Sequence, residues 1–271
     1  MPTIRDQGVC VRVWDFSETS QTVSVFTREH GVIRAIAKGA KRDQARFSGG
    51  LELLTRAEFG AIVKSTASLA TMTYWDLQDG YFAIRRSLDA FYAALYGAEL
   101  VVQMIHDHDP HRDLFDALLV MLGTCGTSPR GALLRFQWAT LVEAGYRPDL
   151  TRDVVTGGDL EEAPTYAFLP HRGGLTREGT FSDGSPVWRV RAETVDRLRG
   201  VAEPDTAGKI DAASDDITIE RANRLLASYV REIIGHEPSA MRAWFDRVRR
   251  DDVRDGAEAH GRQRPHDQPG A

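Results

Sequence analysis

Six basic side chains, Arg28, Arg34, Lys38, Lys41, Arg42 and Arg46, fall within nineteen positions, and only Glu29 and Asp43 oppose them. Phosphate is the chemistry such a run suits, because cations that neutralise a nucleic-acid backbone release its condensed counterions and bind without reading bases. A solvated hairpin face is the other use of such a run. Phe16, Phe26 and Phe47 lie close by in sequence and offer rings on which bases can stack, although Phe26, between Val25 and Thr27, has the setting of a core residue. The whole chain carries a formal charge of -5, so any nucleic-acid site must be a local patch rather than a property of the molecule.

A second site is suggested by Arg135, set in the apolar run Leu133-Leu134-Arg135-Phe136. A guanidinium at the edge of a groove built on Leu134 and Phe136 can clamp a carboxylate with two parallel hydrogen bonds. Equally, its stem can cover core surface while the charge snorkels to water.

Other constellations point away from catalysis and metal. His106-Asp107-His108-Asp109-Pro110-His111 has metal-capable side chains at close spacing, but on a turn between two helices, where a solvated loop is expected. Cys10 and Cys125 are far apart and outside any CxxC spacing, so neither a disulfide framework nor a zinc site is expected. No glycine-rich phosphate loop, nucleophile elbow or HExxH run occurs. The expectation is a binding protein with no cofactor, not an enzyme.

The elements that must position these residues follow from periodicity. Short β-rich runs at Val9 to Trp14, Gln21 to Thr27, Val32 to Ala37, Leu53 to Val63 and Leu69 to Trp75 predict five strands, with Gly31 at a tight turn. Five strands with almost no helix predict an OB-fold β-barrel over residues 1–79. After Gly80 the period becomes helical, with Leu88 to Ile105, Leu114 to Leu122, and a third helix that Ser128 caps, Pro129 opens and Gly145 stops. Breakers from Arg147 to Ser185 predict a small β-rich excursion around Tyr166 to Leu169. Helices return at Ile217 to Ile234, stopped by Gly235, and at Ser239 to about Arg250. The fold class is α+β: a barrel, then a mostly helical domain over 80–250 with its excursion at about 147–185, then a tail, 251–271, too polar to order. Nothing in MPTIRDQGVCVRV resembles a signal peptide and no apolar run approaches the ~20 residues of a membrane span, so a soluble cytoplasmic protein is expected.

Asp15-Phe16-Ser17-Glu18-Thr19-Ser20, Val25-Phe26-Thr27-Arg28-Glu29-His30-Gly31 and Ala37-Lys38-Gly39-Ala40-Lys41-Arg42 together resemble, in order and spacing, the amino-terminal domain of the RecO family. Leu133-Leu134-Arg135-Phe136 followed by Gly145-Tyr146-Arg147-Pro148-Asp149-Leu150 is similar to the same family's later helix and the segment leaving it, and the resemblance runs from about Val9 to Phe245. It implies a recombination mediator that binds single- and double-stranded DNA, anneals complementary strands and works with RecR to load RecA on DNA coated by single-strand-binding protein. It further implies that Arg135, with Leu134 and Phe136, receives the acidic, Phe-ended tail of single-strand-binding protein. A generic OB-fold module for nucleic acid, RNA included, is the alternative.

This chain departs from the family pattern twice. Many members carry a four-cysteine zinc site after the Gly-Tyr-x-Pro segment, whereas here Asp153 and Thr156 stand at the first pair of positions and Arg177 to Thr180 contain no cysteine. Without thiolates no tetrahedral zinc is expected. Where a basic stretch is usual near the end, this chain reads His236-Glu237-Pro238-Ser239-Ala240-Met241.

Overall fold

The structure is a computed structural model that describes residues 3–41, 47, 51–63, 68–179, 184–203 and 216–248. The expected site residues Arg42 and Arg46 and the tail 251–271 lie outside the described residues.

Five strands come first: β1 (Thr3–Asp15), β2 (Gln21–Thr27), β3 (Gly31–Ala37), β4 (Arg56–Ile62) and β5 (Ala70–Asp79). They close into a barrel in the order β1-β2-β3-β5-β4, antiparallel except where Ala35 and Ile36 of β3 run parallel to Ala70 and Thr71 of β5. Alternation turns Val23, Val25, Ile33, Ala35 and Ala37 inward onto Phe59, Met72 and Trp75. The first strand begins earlier than its apolar run suggests, because Thr3 to Gln7 pair with β4 although alternate side chains there face water.

The strands β1 and β2 shift register between Cys10 and Arg12. Val11 is the extra residue, so Val9, Val11, Arg12 and Trp14 share the barrel's outer face while Cys10 and Val13 turn inward. Simple alternation would have placed Arg12 and Cys10 together. The outer face therefore changes character along its length. Val9, Val11, Phe26 and Val32 at one end join the core of the helical part, and Arg12, Trp14 and Arg34 at the other are exposed.

The helical part contains α1 (Leu88–Met104), α2 (Arg112–Thr124), α3 (Pro129–Glu143), α4 (Ala192–Ala202), α5 (Asp216–Ile234) and α6 (239–248). Pro129 opens α3 as expected and Gly145 stops it with φ +81°, but Ser128 makes no side-chain cap. Instead its backbone carbonyl accepts from Ala132 N at 2.9 Å. Cross-linking α1, α3 and α5, buried Tyr96 donates to Gln137 (3.1 Å), Gln137 to Asn223 (2.7 Å) and Asn223 to the Arg130 carbonyl (3.0 Å). The hydrogen bonds along that chain offset the desolvation of its buried groups, so it fixes the relative position of three helices.

The excursion holds a three-stranded sheet in the order β7-β6-β8, formed by β6 (Thr165–Leu169), β7 (Gly174–Arg177) and β8 (Trp188–Arg191). The strand β8 runs directly into α4, a helix buried through Thr194, Val195 and Leu198 that periodicity did not single out. No helix among the described residues is long and apolar enough to cross a membrane.

Candidate nucleic-acid interface

The exposed end of the barrel's outer face is built by three strands and a loop. Arg12, Ser24 and Arg34 stand opposite one another across β1, β2 and β3, and Trp14, Thr22 and Ile36 form the next row. Lys38 continues the alternation of Arg34 and Ile36 beyond the end of β3 and is exposed. The Arg12 guanidinium lies over the Trp14 ring, 4.7 Å from its centroid, a cation–π contact that holds the indole at the surface.

The β1–β2 loop folds onto the turn after β3. Lys41 N donates to the Thr19 carbonyl (3.2 Å), Gly39 N to Ser20 Oγ (3.3 Å), and Lys41 Nζ pairs with Asp15 at 2.6 Å. Phe16, in that loop, is 63% exposed and Trp14 42%, whereas Phe26 and Phe47 are buried. Of the three rings noted in the sequence, Phe16 alone is therefore available to stack. Trp14 and Arg12 escaped the sequence reading because the bulge at Val11 decides which way they face; the signal, an Arg and a Trp two apart in a strand, was present.

The six basic residues divide by position. Arg28 forms a two-pronged ion pair with Asp116 of α2, its second contact being 2.8 Å, and Arg34 pairs with Asp107 at 3.0 Å. Both cations thus help bind the barrel to the helical part. Lys38 and Lys41 lie at the exposed edge with Trp14 and Phe16, and Arg42, next in the chain, and Arg46 are outside the described residues.

The run His106 to His111 sits at the same junction. His108 N donates to the Val32 carbonyl (3.2 Å), and a Cβ on Gly31, whose φ is +67°, would come within 2.3 Å of the Asp109 carbonyl oxygen. Only glycine fits that turn. His111 lies between Glu143 (3.0 Å) and Asp109 (3.3 Å). Among the described residues no group of three or more His, Cys, Asp or Glu is placed to hold a metal ion.

On α3, Arg135 is half-buried, and Leu134 and Phe136 are each 1% exposed within the core. Those two side chains support the helix from beneath rather than meeting solvent. Ala139 and Val142 follow Arg135 at i+4 and i+7, on one stripe. They line a groove of about 280 Å³ with Trp138, Arg147 and Val201, and Trp138 and Arg147 also border a cleft of about 470 Å³.

Asp153 occupies one of the positions where the resemblance leads one to expect a cysteine. Its carboxylate is 6% exposed and accepts from Val155 N (2.8 Å), Thr156 N (3.0 Å), Thr176 Oγ1 (2.8 Å) and Arg177 N (3.3 Å). Burial alone would raise its pKa, but the four hydrogen bonds together outweigh that and hold it below the usual carboxylate value. One carboxylate thereby ties the loop at 153–156 to β7. Cys10 and Cys125 are free and buried, and burial pushes both thiols up to about 12, far from nucleophilic use.

Comparison with known proteins agrees across both halves of the molecule. Residues 1–81 match the family model "Recombination protein O N terminal" and residues 85–241 match "Recombination protein O C terminal". The DNA repair protein RecO of Rhodopirellula baltica is 34% identical over 214 residues, 77% of this chain and 79% of that protein. That of Anaeromyxobacter dehalogenans strain 2CP-C is 29% identical over 247 residues, 89% of this chain and 96% of that protein. Barrel and helical part are thus matched in the same order and over nearly their whole length, and this chain belongs to the RecO family.

Proposed function

We propose that this chain is a DNA-binding recombination mediator of recombinational repair, and that it acts by binding and scaffolding with no bond made or broken. The observation that carries the reading is the exposed edge of the barrel. There Trp14 and Phe16 stand beside Arg12, Lys38 and Lys41, so rings for bases and cations for phosphates occupy one surface of an acidic protein. The strand order and the parallel β3–β5 closure support an OB-fold, whose nucleic-acid face is built from these strands and this loop.

In this reading Lys38 and Lys41, with Arg42 and Arg46, contact backbone phosphates of single- and double-stranded DNA. Arg28 and Arg34 flank the path and hold the barrel in place. The protein anneals complementary strands, receives the tail of single-strand-binding protein at Arg135 over the support of Leu134 and Phe136, and with RecR promotes loading of RecA. Its setting is the cytoplasm, at the nucleoid, without cofactor or metal.

Fluorescence anisotropy with single-stranded DNA tests the surface. Lys38→Glu with Lys41→Glu should flatten the salt dependence of log K by about 0.7 per lost phosphate contact. Trp14→Ala should weaken binding by about 1–3 kcal/mol for a lost base stack with less change in that slope. A folded Lys38→Glu, Lys41→Glu protein with an unaltered slope would place DNA elsewhere. Binding without annealing of strands precoated with single-strand-binding protein would leave only a generic OB-fold module.

A further inference from the structure

A groove of about 360 Å³ runs between β8 and α5, on the helical part rather than the barrel. Arg189 and Arg191 line one wall, Arg221 and Arg224 the other, and Trp188 stands at the strand's start. We propose that this groove binds the phosphodiester backbone of a second nucleic-acid strand, a proposal that rests on the reading of the barrel as a DNA platform and adds a separate site to it.

The local sequence explains the arrangement. In Trp-Arg-Val-Arg, alternation buries Val190 at 5% exposure and turns Arg189 and Arg191 outward together. Two residues along a strand span roughly 6.5 Å, the order of the separation between successive backbone phosphates. Across the groove Arg221 and Arg224 are three apart on α5 and so neighbour one another on one face. Four arginines bordering one groove, two from β8 and two from α5, suit a polyanion that passes along it, since each guanidinium can grip phosphate oxygens with two parallel hydrogen bonds.

Two of these arginines, Arg189 and Arg221, have weak or peripheral partners. Arg189 meets Glu178 at 3.2 Å with both side chains well exposed, and Arg221 meets Glu193 only at 3.7 Å. Exposed pairs of this kind contribute little and are readily exchanged. Arg224 is positioned by Glu220 at 2.7 Å and by the Phe245 ring beneath it, while Arg191 has no ion pair among the described residues. Trp188 is stacked on buried Phe168 at 5.7 Å with an interplanar angle of 8°, and remains partly exposed where it lines the groove. Sharing Val190's face of the strand, towards α5, an indole braced in this way offers a surface for a base on the side of Arg221 and Arg224. Apart from it, the apolar lining consists of Val190 and Leu225, both buried, so the groove lacks the open hydrophobic pocket that an acidic peptide with an apolar end would need.

The test uses the full chain and a labelled oligothymidylate of about eight nucleotides, within the span one OB-fold covers. Wild type should take up two oligonucleotides per chain. Arg191→Glu with Arg221→Glu should take up one, as should Lys38→Glu with Lys41→Glu, and the combined variant none. In the barrel-defective background, adding Arg191→Gln and Arg221→Gln should lower the residual salt slope by about 1.4, two contacts at 0.7 each. This gentler pair also serves if charge reversal disturbs folding by circular dichroism. Undiminished uptake by the folded groove variants, with the barrel variant binding nothing, overturns this site and leaves the barrel reading intact. Failure of wild type to bind any oligonucleotide sinks both. Loss of oligoglutamate binding in the groove variants, with oligothymidylate uptake unchanged, would make the groove a peptide site and also overturn the proposal.

Discussion

Asp153 shows how one carboxylate can join two segments of chain that the family resemblance links to paired cysteines. Its four hydrogen bonds gather the 153–156 loop and carry it to Thr176 and Arg177, twenty-three and twenty-four residues on. The sequence revealed that thiolates are missing here, but not what replaces them, because Thr176 becomes a neighbour only once β6 and β7 have paired. Since its pKa is lowered in the fold, Asp153 stabilises the protein fully above the unfolded carboxylate value of about 3.9, and that contribution is lost as pH falls through the lower folded value. Asp153→Asn should therefore cost about 1.5–3 kcal/mol at pH 7, the scale of hydrogen bonds to a charged acceptor. The deficit should shrink as the solution is acidified below about pH 4, where wild type loses the charge too. Urea denaturation at a series of pH values reads this directly. A wild-type-minus-variant difference that stays constant down to pH 3 would mean that the neutral amide serves as well and that charge is irrelevant.

Among the elements, α3 was the most legible and still withheld its most useful detail. Pro129 and Gly145 mark its ends in the sequence, and the apolar pattern gives its buried side, yet which neighbours cover Leu134 and Phe136 depends on helices distant in the chain. The bulge at Val11 is a similar case: it reassigns Arg12 and Trp14 to the exposed face, and no local residue type announces it. The helix α4 went unnoticed because its buried residues are few, chiefly Thr194, Val195 and Leu198, amid charge. The stripe of Arg135, Ala139 and Val142 supports a specific expectation for the partner site. A peptide with an acidic stretch and a terminal Phe can set its carboxylate at Arg135 and its ring in the groove beside Trp138 and Val142. Arg135→Ala should weaken that peptide by roughly 1–3 kcal/mol, while binding of bare DNA at the barrel changes little. Calorimetry on the folded variant decides: wild-type affinity for the peptide would reduce Arg135 to a snorkelling helix residue.

For the molecule as a whole, the sequence divides more cleanly than the structure does. A change of period after Gly80 separates strands from helices, but the barrel's Val9, Val11, Phe26, Val32 and Leu54 belong to the same continuous core as α1, α2 and α3. Phe26 meets Phe115 of α2 edge-on at 5.8 Å, and the rim of that contact is closed by Arg28 with Asp116, Arg112 with Glu29 (2.9 Å from Nε) and Arg34 with Asp107. Exposed ion pairs of this kind add little stability each, whereas the shared apolar core, with the Phe26–Phe115 contact in it, favours attachment through buried area. The two parts should accordingly unfold together in one transition rather than as independent domains. Phe115→Ala removes a fully buried ring at the junction and should cost about 3–5 kcal/mol. Hydrogen exchange followed by mass spectrometry would then show amides of β2 and β3 losing protection together with those of α1 and α2. Should the barrel amides keep wild-type protection while the helices open, the junction would be a contact between autonomous units, and Arg28 and Arg34 would be released to the proposed DNA-binding face instead of being engaged in holding it.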